Sequence, residues 1–177
     1  MGRSTSVASK RHAQGPHNHD ACVATLLDRA RQSFDTKGLK LTALRLQVLE
    51  EIAASHNAMG AYDVLARLAR KTGAKLAPIS VYRAIDALLE VGLVHRLESK
   101  NAFFACHAPH TGQQRHIALV CETCSRVVEV AAGKVYDLID TVSHSKGFHL
   151  RSAVAEGVGQ CVVCHRHAAT HSGKSGA

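Results

Sequence analysis

Four cysteines in two Cys-x-x-Cys pairs, Cys121/Cys124 and Cys161/Cys164, carry the strongest chemical signal in the sequence. Zinc prefers a tetrahedral shell, and four thiolates close it with no position left for a substrate. Such a centre is structural, and the metal would supply folding energy to a small unit. The rival reading is dithiol redox activity, but two pairs bracketing one short segment fit a single ion better. The span between the pairs exceeds that of a simple zinc ribbon, so a strand-helix-strand unit must lie inside it.

A second set of ligand types is spread more widely. In "LVHRLESKNAFFACH", a hairpin turning about Lys100-Asn101 would place Leu97 opposite Phe104 and His95 opposite Cys106. Opposite residues have Cβ atoms about 4.5–5.5 Å apart, close enough to share one metal ion. A hairpin about the Cys121–Cys124 knuckle would likewise place His116 opposite Glu129, on the face away from the thiolates. Each residue alone has a blander reading. His95 would be a core histidine beside Leu93 and Leu97, Cys106 a small buried hydrophobe, and Glu129 a solvated strand residue. Their joint placement makes a candidate second site.

Composition bounds what these sites can serve. A chain of 177 residues is one ordinary domain or two small ones, and 46% hydrophobic residues are ample for a core. The excess of 22 Lys+Arg over 14 Asp+Glu permits a polyanionic partner without proving one. The polar N-terminus has no signal-peptide core, and no apolar run approaches membrane-spanning length. A cytosolic chain that does not engage a membrane follows, and its thiols stay reduced. A zinc hydrolase or deaminase needs an open metal position beside a general base, and the His-x-Glu plus Pro-Cys-x-x-Cys signature is absent.

The positioning elements read as α+β. "VATLLDRARQSFDTKG" spaces Val23, Leu26, Leu27, Ala30 and Phe34 for one helical face, with Gly38 as its stop. "TALRLQVLEEIAAS" follows with Thr42 as N-cap, then "AYDVLARLARKTG" ending at Gly73. "PISVYRAIDALLEVG" is the fourth helix, opened by Pro78 or Ser80 and ended by Gly92. Short helices followed directly by a hairpin outline a winged helix-turn-helix, whose last helix enters the DNA major groove. Beyond Ala108, "RHIALVC" and "RVVEV" read as strands, "GKVYDLIDTVSHSKG" as a helix and "FHLRSAVAEG" as a further strand. The organisation expected is a disordered arm over 1–20 holding His12, His17 and His19, a winged-helix unit over 21–105, a metal-binding dimerisation unit over 106–165, and a flexible tail over 166–177.

"PISVYRAIDALLEVGLVHRLESKNAFFACH" with "CETCSRVVEV" and "CVVC" resembles the Fur family of bacterial metal-dependent repressors, most of all its zinc-uptake regulator (Zur) branch. The resemblance covers roughly Leu39 to Cys164. It implies a homodimer that binds a pseudo-palindromic operator in double-stranded DNA, and a zinc-responsive repressor of zinc-uptake genes rather than an enzyme. It implies two zinc ions per chain: a structural one on Cys121, Cys124, Cys161 and Cys164, and a regulatory one on His95, Cys106 and Glu129. The family's DNA-contacting tyrosine and arginine fall on Tyr62 and Arg83, and Arg45, Ser80 and Tyr82 are expected beside them. Two positions depart from the pattern. Ala43 stands where the family has proline. Gln114 stands where the branch has a ligating histidine seven residues before the first knuckle. His107, His110 and His116 then compete for the fourth regulatory position, and strand parity with Glu129 selects His116. Within the family the alternative is an iron or peroxide sensor, but "QQRHIALVC" lacks the histidine-rich run of the iron branch.

Overall fold

Glycines in the left-handed region stop the first and third helices where the sequence places them. The computed structural model describes residues 19–54, 57–106 and 115–172. Helix α1 (His19–Thr36) is followed by Gly38 at φ 63°, and α3 (Ala61–Thr72) by Gly73 at φ 68°. Between them, α2 (Ala43–Ala53) is capped by Thr42, whose hydroxyl accepts from the Arg45 amide. Ala43 therefore opens the helix without proline. Helix α4 (Pro78–Glu90) begins at Pro78, where a missing amide hydrogen costs nothing. The apolar faces of all four meet in one core that includes Leu26, Phe34, Leu49, Ile52, Leu68 and Leu88.

The hairpin that follows packs its Val94, Phe103 and Ala105 into the same core. Strands β1 (Val94–Leu97) and β2 (Ala102–Ala105) are antiparallel, completing a winged helix-turn-helix. Their connection is a 3-10 turn at Glu98–Lys100 with Asn101 at φ 45°, not a two-residue turn. The register therefore differs from the expected one: His95 faces Phe104, not Cys106, and Leu97 faces Ala102. The shift is an even number of residues, so every side chain keeps its face.

The C-terminal part is a small sheet of order β4-β3-β5 with one crossover helix. Strands β3 (His116–Cys121) and β4 (Val127–Ala131) are antiparallel, and α5 (Gly133–Ser145) returns the chain to β5 (Glu156–Gly159), parallel to β3. Only Glu156–Gly159 of the stretch "FHLRSAVAEG" and its continuation pairs as a strand. Gly157 permits that approach, since a Cβ there would lie 2.7 Å from Leu119 Cδ2. The chain then enters α6 (Val162–Ser172), which runs into the stretch expected to be a flexible tail. Of the expected N-terminal arm, His12 and His17 lie outside the described residues.

Wing and sheet are joined in several ways. Leu97 and Phe104 pack on Val120 and Val127. At the wing tip, the Glu98 and Ser99 amides donate to the Glu156 carboxylate at 2.6 and 3.0 Å. Burial opposes that charge, but the hydrogen bonds hold the carboxyl below its ordinary range. Lys100 Nζ reaches the Cys121 carbonyl and Ser125 Oγ, each at 3.3 Å. The segment 57–59 bridges both parts: Met59 pairs with Phe103, and Ala58 N donates to the Ser125 carbonyl at 3.0 Å.

Candidate metal centres and nucleic-acid face

The parallel register of β3 and β5 brings the two cysteine pairs together. Cys121, at the end of β3, is level with Gly159, so Cys161 emerges beside it. The sulfurs of Cys121, Cys124, Cys161 and Cys164 all lie within 4.8 Å of one another, and Cys124 and Cys161 are 3.9 Å apart. A tetrahedron of zinc–sulfur bonds of about 2.3 Å has edges of about 3.8 Å. The four residues fit zinc. The Cys161 amide also points at Cys121 Sγ, at 3.4 Å.

Electrostatics support the same reading. Burial opposes ionisation of Cys121, but amide donors from Cys161, Cys124 and Thr123 outweigh it and pull the thiol down to about 6. Burial, then its three thiol neighbours, pushes Cys164 up to about 12, and burial also raises Cys124. Four thiolates cannot share so small a volume unless a cation stands among them.

The second cluster spans the junction between wing and sheet. Ligand atoms of His95, Cys106 and Glu129 lie within 4.8 Å of one another, with His95 Nε2 and Glu129 Oε1 3.4 Å apart. β1 supplies His95, stacked at 5.5 Å against Phe104. Cys106 follows β2, fully buried, its amide bonded to the Leu93 carbonyl. β4 supplies Glu129, whose carboxyl is pushed up by burial, while the charges of His116 and Arg29 pull it back. One sulfur, one imidazole and one carboxylate are a fitting donor set for zinc.

The position of His116 differs from the expected one. It faces Ala131, and Ala118 faces Glu129. The knuckle turn is longer than a regular hairpin, with Ser125 at φ 59°, and moves the register by two. His116 stays on the Glu129 face as a diagonal neighbour, and Tyr136 Oη fixes its carbonyl at 3.0 Å. It is not among the three side chains whose ligand atoms converge. The rivals His107 and His110, like Gln114, lie outside the described residues.

On the helical part, Tyr62 of α3 is 69% exposed and meets Tyr82 of α4 edge to face at 6.3 Å. Arg83 of α4 is exposed beside them, and Ser80 sits half-buried in the first turn. Arg45 is placed otherwise. Its guanidinium lies over the Phe34 ring and donates to the Lys40 carbonyl.

Two contacts escape sequence reasoning. Arg29 of α1 donates to the Cys106 carbonyl and sulfur, and Glu156 holds the wing tip. Arg29 lies beside the buried Leu26 and Ala30, so helical periodicity reveals its edge position but not its distant partner.

Comparison with known proteins gives a consistent picture. Residues 36–156 match the ferric uptake regulator family. The zinc uptake regulation protein of Escherichia coli K12 is 36% identical over 139 residues, covering 78% of this chain and 81% of the relative. The ferric uptake regulation protein of the same strain is 27% identical over 142 residues, covering 77% and 93%. A solved zinc uptake regulator complexed with zinc and DNA superposes with TM-score 0.77 at 34% identity, covering 83% of this chain and 97% of that one.

Proposed function

The chain belongs to the ferric uptake regulator family, and from this we propose that it is a cytoplasmic zinc-responsive repressor, not an enzyme. In this reading residues 21–105 bind operator DNA, residues 106–165 dimerise, and two zinc ions bind per chain. Cys121, Cys124, Cys161 and Cys164 hold the structural ion, and His95, Cys106, Glu129 and His116 the regulatory one. The observation that carries the proposal is the convergence of His95 and Cys106 from the wing with Glu129 from the sheet.

When bound there, zinc supplies a cross-link between the two parts. The residues do the rest. His95 and Cys106 sit on the hairpin that shares its core with α4, so the angle of the hairpin to the sheet sets the direction of α4. In a homodimer that angle fixes the separation of two recognition helices, which must match half-sites one helical turn apart. Zinc sensitivity then equals the differential affinity of the cluster for the two angles. By reciprocity, operator DNA tightens zinc binding in return.

The C-terminal surface supports a homodimer. Leu119, Val128 and Val130 expose one sheet face, and Leu138 and Val142 expose a side of α5. Apolar groups left in water across adjoining elements mark an interaction surface. The thiol of Cys106 supports zinc over ferrous iron, for which all-nitrogen/oxygen sites are expected.

The deciding experiment is a gel-shift assay on duplexes selected by the zinc-loaded protein. Binding should require zinc, and ferrous iron should not replace it. The reverse preference would establish the iron-sensing alternative. Native mass spectrometry under reducing conditions should find two zinc ions per chain, where a dithiol redox protein would carry none.

Arg83→Ala should weaken operator binding by roughly 1–3 kcal/mol and relax sequence preference at one position if the arginine reads a base edge. A phosphate contact would instead weaken all duplexes equally and lower the salt slope. Unchanged affinity for every duplex would exclude this face of α4. For the fourth regulatory ligand, His116→Ala should abolish zinc-dependent DNA binding and His110→Ala should leave it mostly intact. Zinc titrations with the opposite ranking would move the ligand to the loop.

A further inference from the structure

Helix α1 lies almost wholly ahead of the segment matched to the family, yet it reaches the second metal cluster. Arg29 Nη1 donates to the Cys106 carbonyl at 3.0 Å, and Nη2 points at Cys106 Sγ at 3.7 Å. Both arms of one planar fork therefore engage one residue, backbone and side chain together. We propose that Arg29 is a positioning residue for the regulatory metal, holding the Cys106 sulfur in its ligating orientation and tying α1 to the occupancy of the site. The inference rests on reading His95, Cys106 and Glu129 as that site.

The physical case has three parts. Arg29 is not a loose surface side chain, because its helix is anchored by Leu26, Ala30 and Phe34, each no more than 1% exposed. A guanidinium is always charged and rigidly forked, so it fixes a direction that a lysine ammonium cannot. A neutral thiol is a weak acceptor, whereas a metal-bound sulfur carries negative charge and accepts a charge-assisted bond. The contact is thus stronger in the metal-loaded state than in the empty one. Partners of this kind behind metal ligands contribute about 10–100-fold to metal affinity.

The test uses the full-length protein with its structural zinc in place. Arg29→Met removes the charge and the fork but keeps an unbranched apolar stem. Zinc affinity of the second site, measured by chelator competition, should fall about 10–100-fold. With cobalt as the probe, the sulfur-to-metal charge-transfer band should shift, because the electron density on the Cys106 sulfur changes. A purely structural arginine would leave that band unmoved in a folded variant. Arg29→Lys keeps the charge with a single donor group, so it should show a smaller loss and a smaller shift. It also carries the test alone if Arg29→Met does not fold.

Cys106→Ser is measured in parallel. If it abolishes the band while both Arg29 variants keep wild-type affinity and spectrum, the role of Arg29 is overturned and the site stands. If Cys106→Ser leaves affinity and band intact, the reading of the site itself fails, and the inference fails with it.

Discussion

Cys106→Ser is expected to abolish zinc-dependent operator binding while leaving a folded dimer with one zinc ion per chain. The thiol is fully buried, and serine is nearly its isostere, so no appreciable cavity forms. The new hydroxyl is not stranded either, because the Arg29 guanidinium beside it can donate to it. Metal binding is another matter. A hydroxyl remains protonated near neutral pH and is no substitute for thiolate on zinc. A loss of at least about 100-fold in affinity, about 2.7 kcal/mol, should follow at this site. Zinc content, size-exclusion chromatography and gel shifts together separate the effects. Retained zinc-responsive DNA binding would place the sensor elsewhere.

Cys121→Ser should be more damaging, and to a different property. Its sulfur lies within reach of the other three and accepts from the Cys161 amide, and its carbonyl accepts from Lys100 of the wing tip. Structural zinc binding contributes on the order of 10–16 kcal/mol in small peptides. That matches or exceeds the whole stability of an ordinary domain, about 5–15 kcal/mol. The variant should therefore lose one zinc ion per chain, and its dimer peak with it. A stable dimer carrying full zinc would exclude the four-cysteine assignment.

Most of the helical part was legible because its signals are local. Gly38, Thr42, Gly73 and Pro78 act within one turn of the boundary they set, and the apolar spacing of α1 puts Leu26, Ala30 and Phe34 in the core with Val23 and Leu27 packed at its edge. Strand registers were not legible, because the conformations of Asn101 and Ser125 are invisible in composition. The convergence of His95, Cys106 and Glu129 is indifferent to that error for a simple reason: a two-residue slip leaves every residue on its original face, though it moves His116 off its expected place opposite Glu129. A one-residue slip would have turned His95 and Glu129 away from Cys106. β5 was over-extended because its pairing is parallel and non-local, so the sequence around it carries no hairpin signal. α6 was missed because "HRHAATHS" has little apolar periodicity. Its first turn is nucleated by the second cysteine pair, where the His165 amide donates to the Cys161 carbonyl. Arg29 escaped notice for want of any local signal, being 77 residues from its partner.

The parallel seat of β5 on β3 has one more consequence. β3 is the central strand only because Glu156–Gly159 covers one side of it. Those four residues close a loop of about forty, whose closure costs entropy that a cross-link at its ends removes, roughly 4 kcal/mol in the chain-entropy picture. With the knuckle broken, β5 keeps its ladder to β3 and the wing-tip hydrogen bonds of Glu156 but loses the cross-link beyond Gly159, so it peels from that end. β3 would then present a bare hydrogen-bonding edge over Ile117, Ala118, Leu119 and Val120, an uncharged, proline-free run with β-branched residues. Such an edge is a template for other chains. The metal-stripped protein should consequently not persist as a soluble monomer but assemble slowly, strand to strand. On this expectation the four cysteines would guard the molecule against aggregation as well as hold its shape.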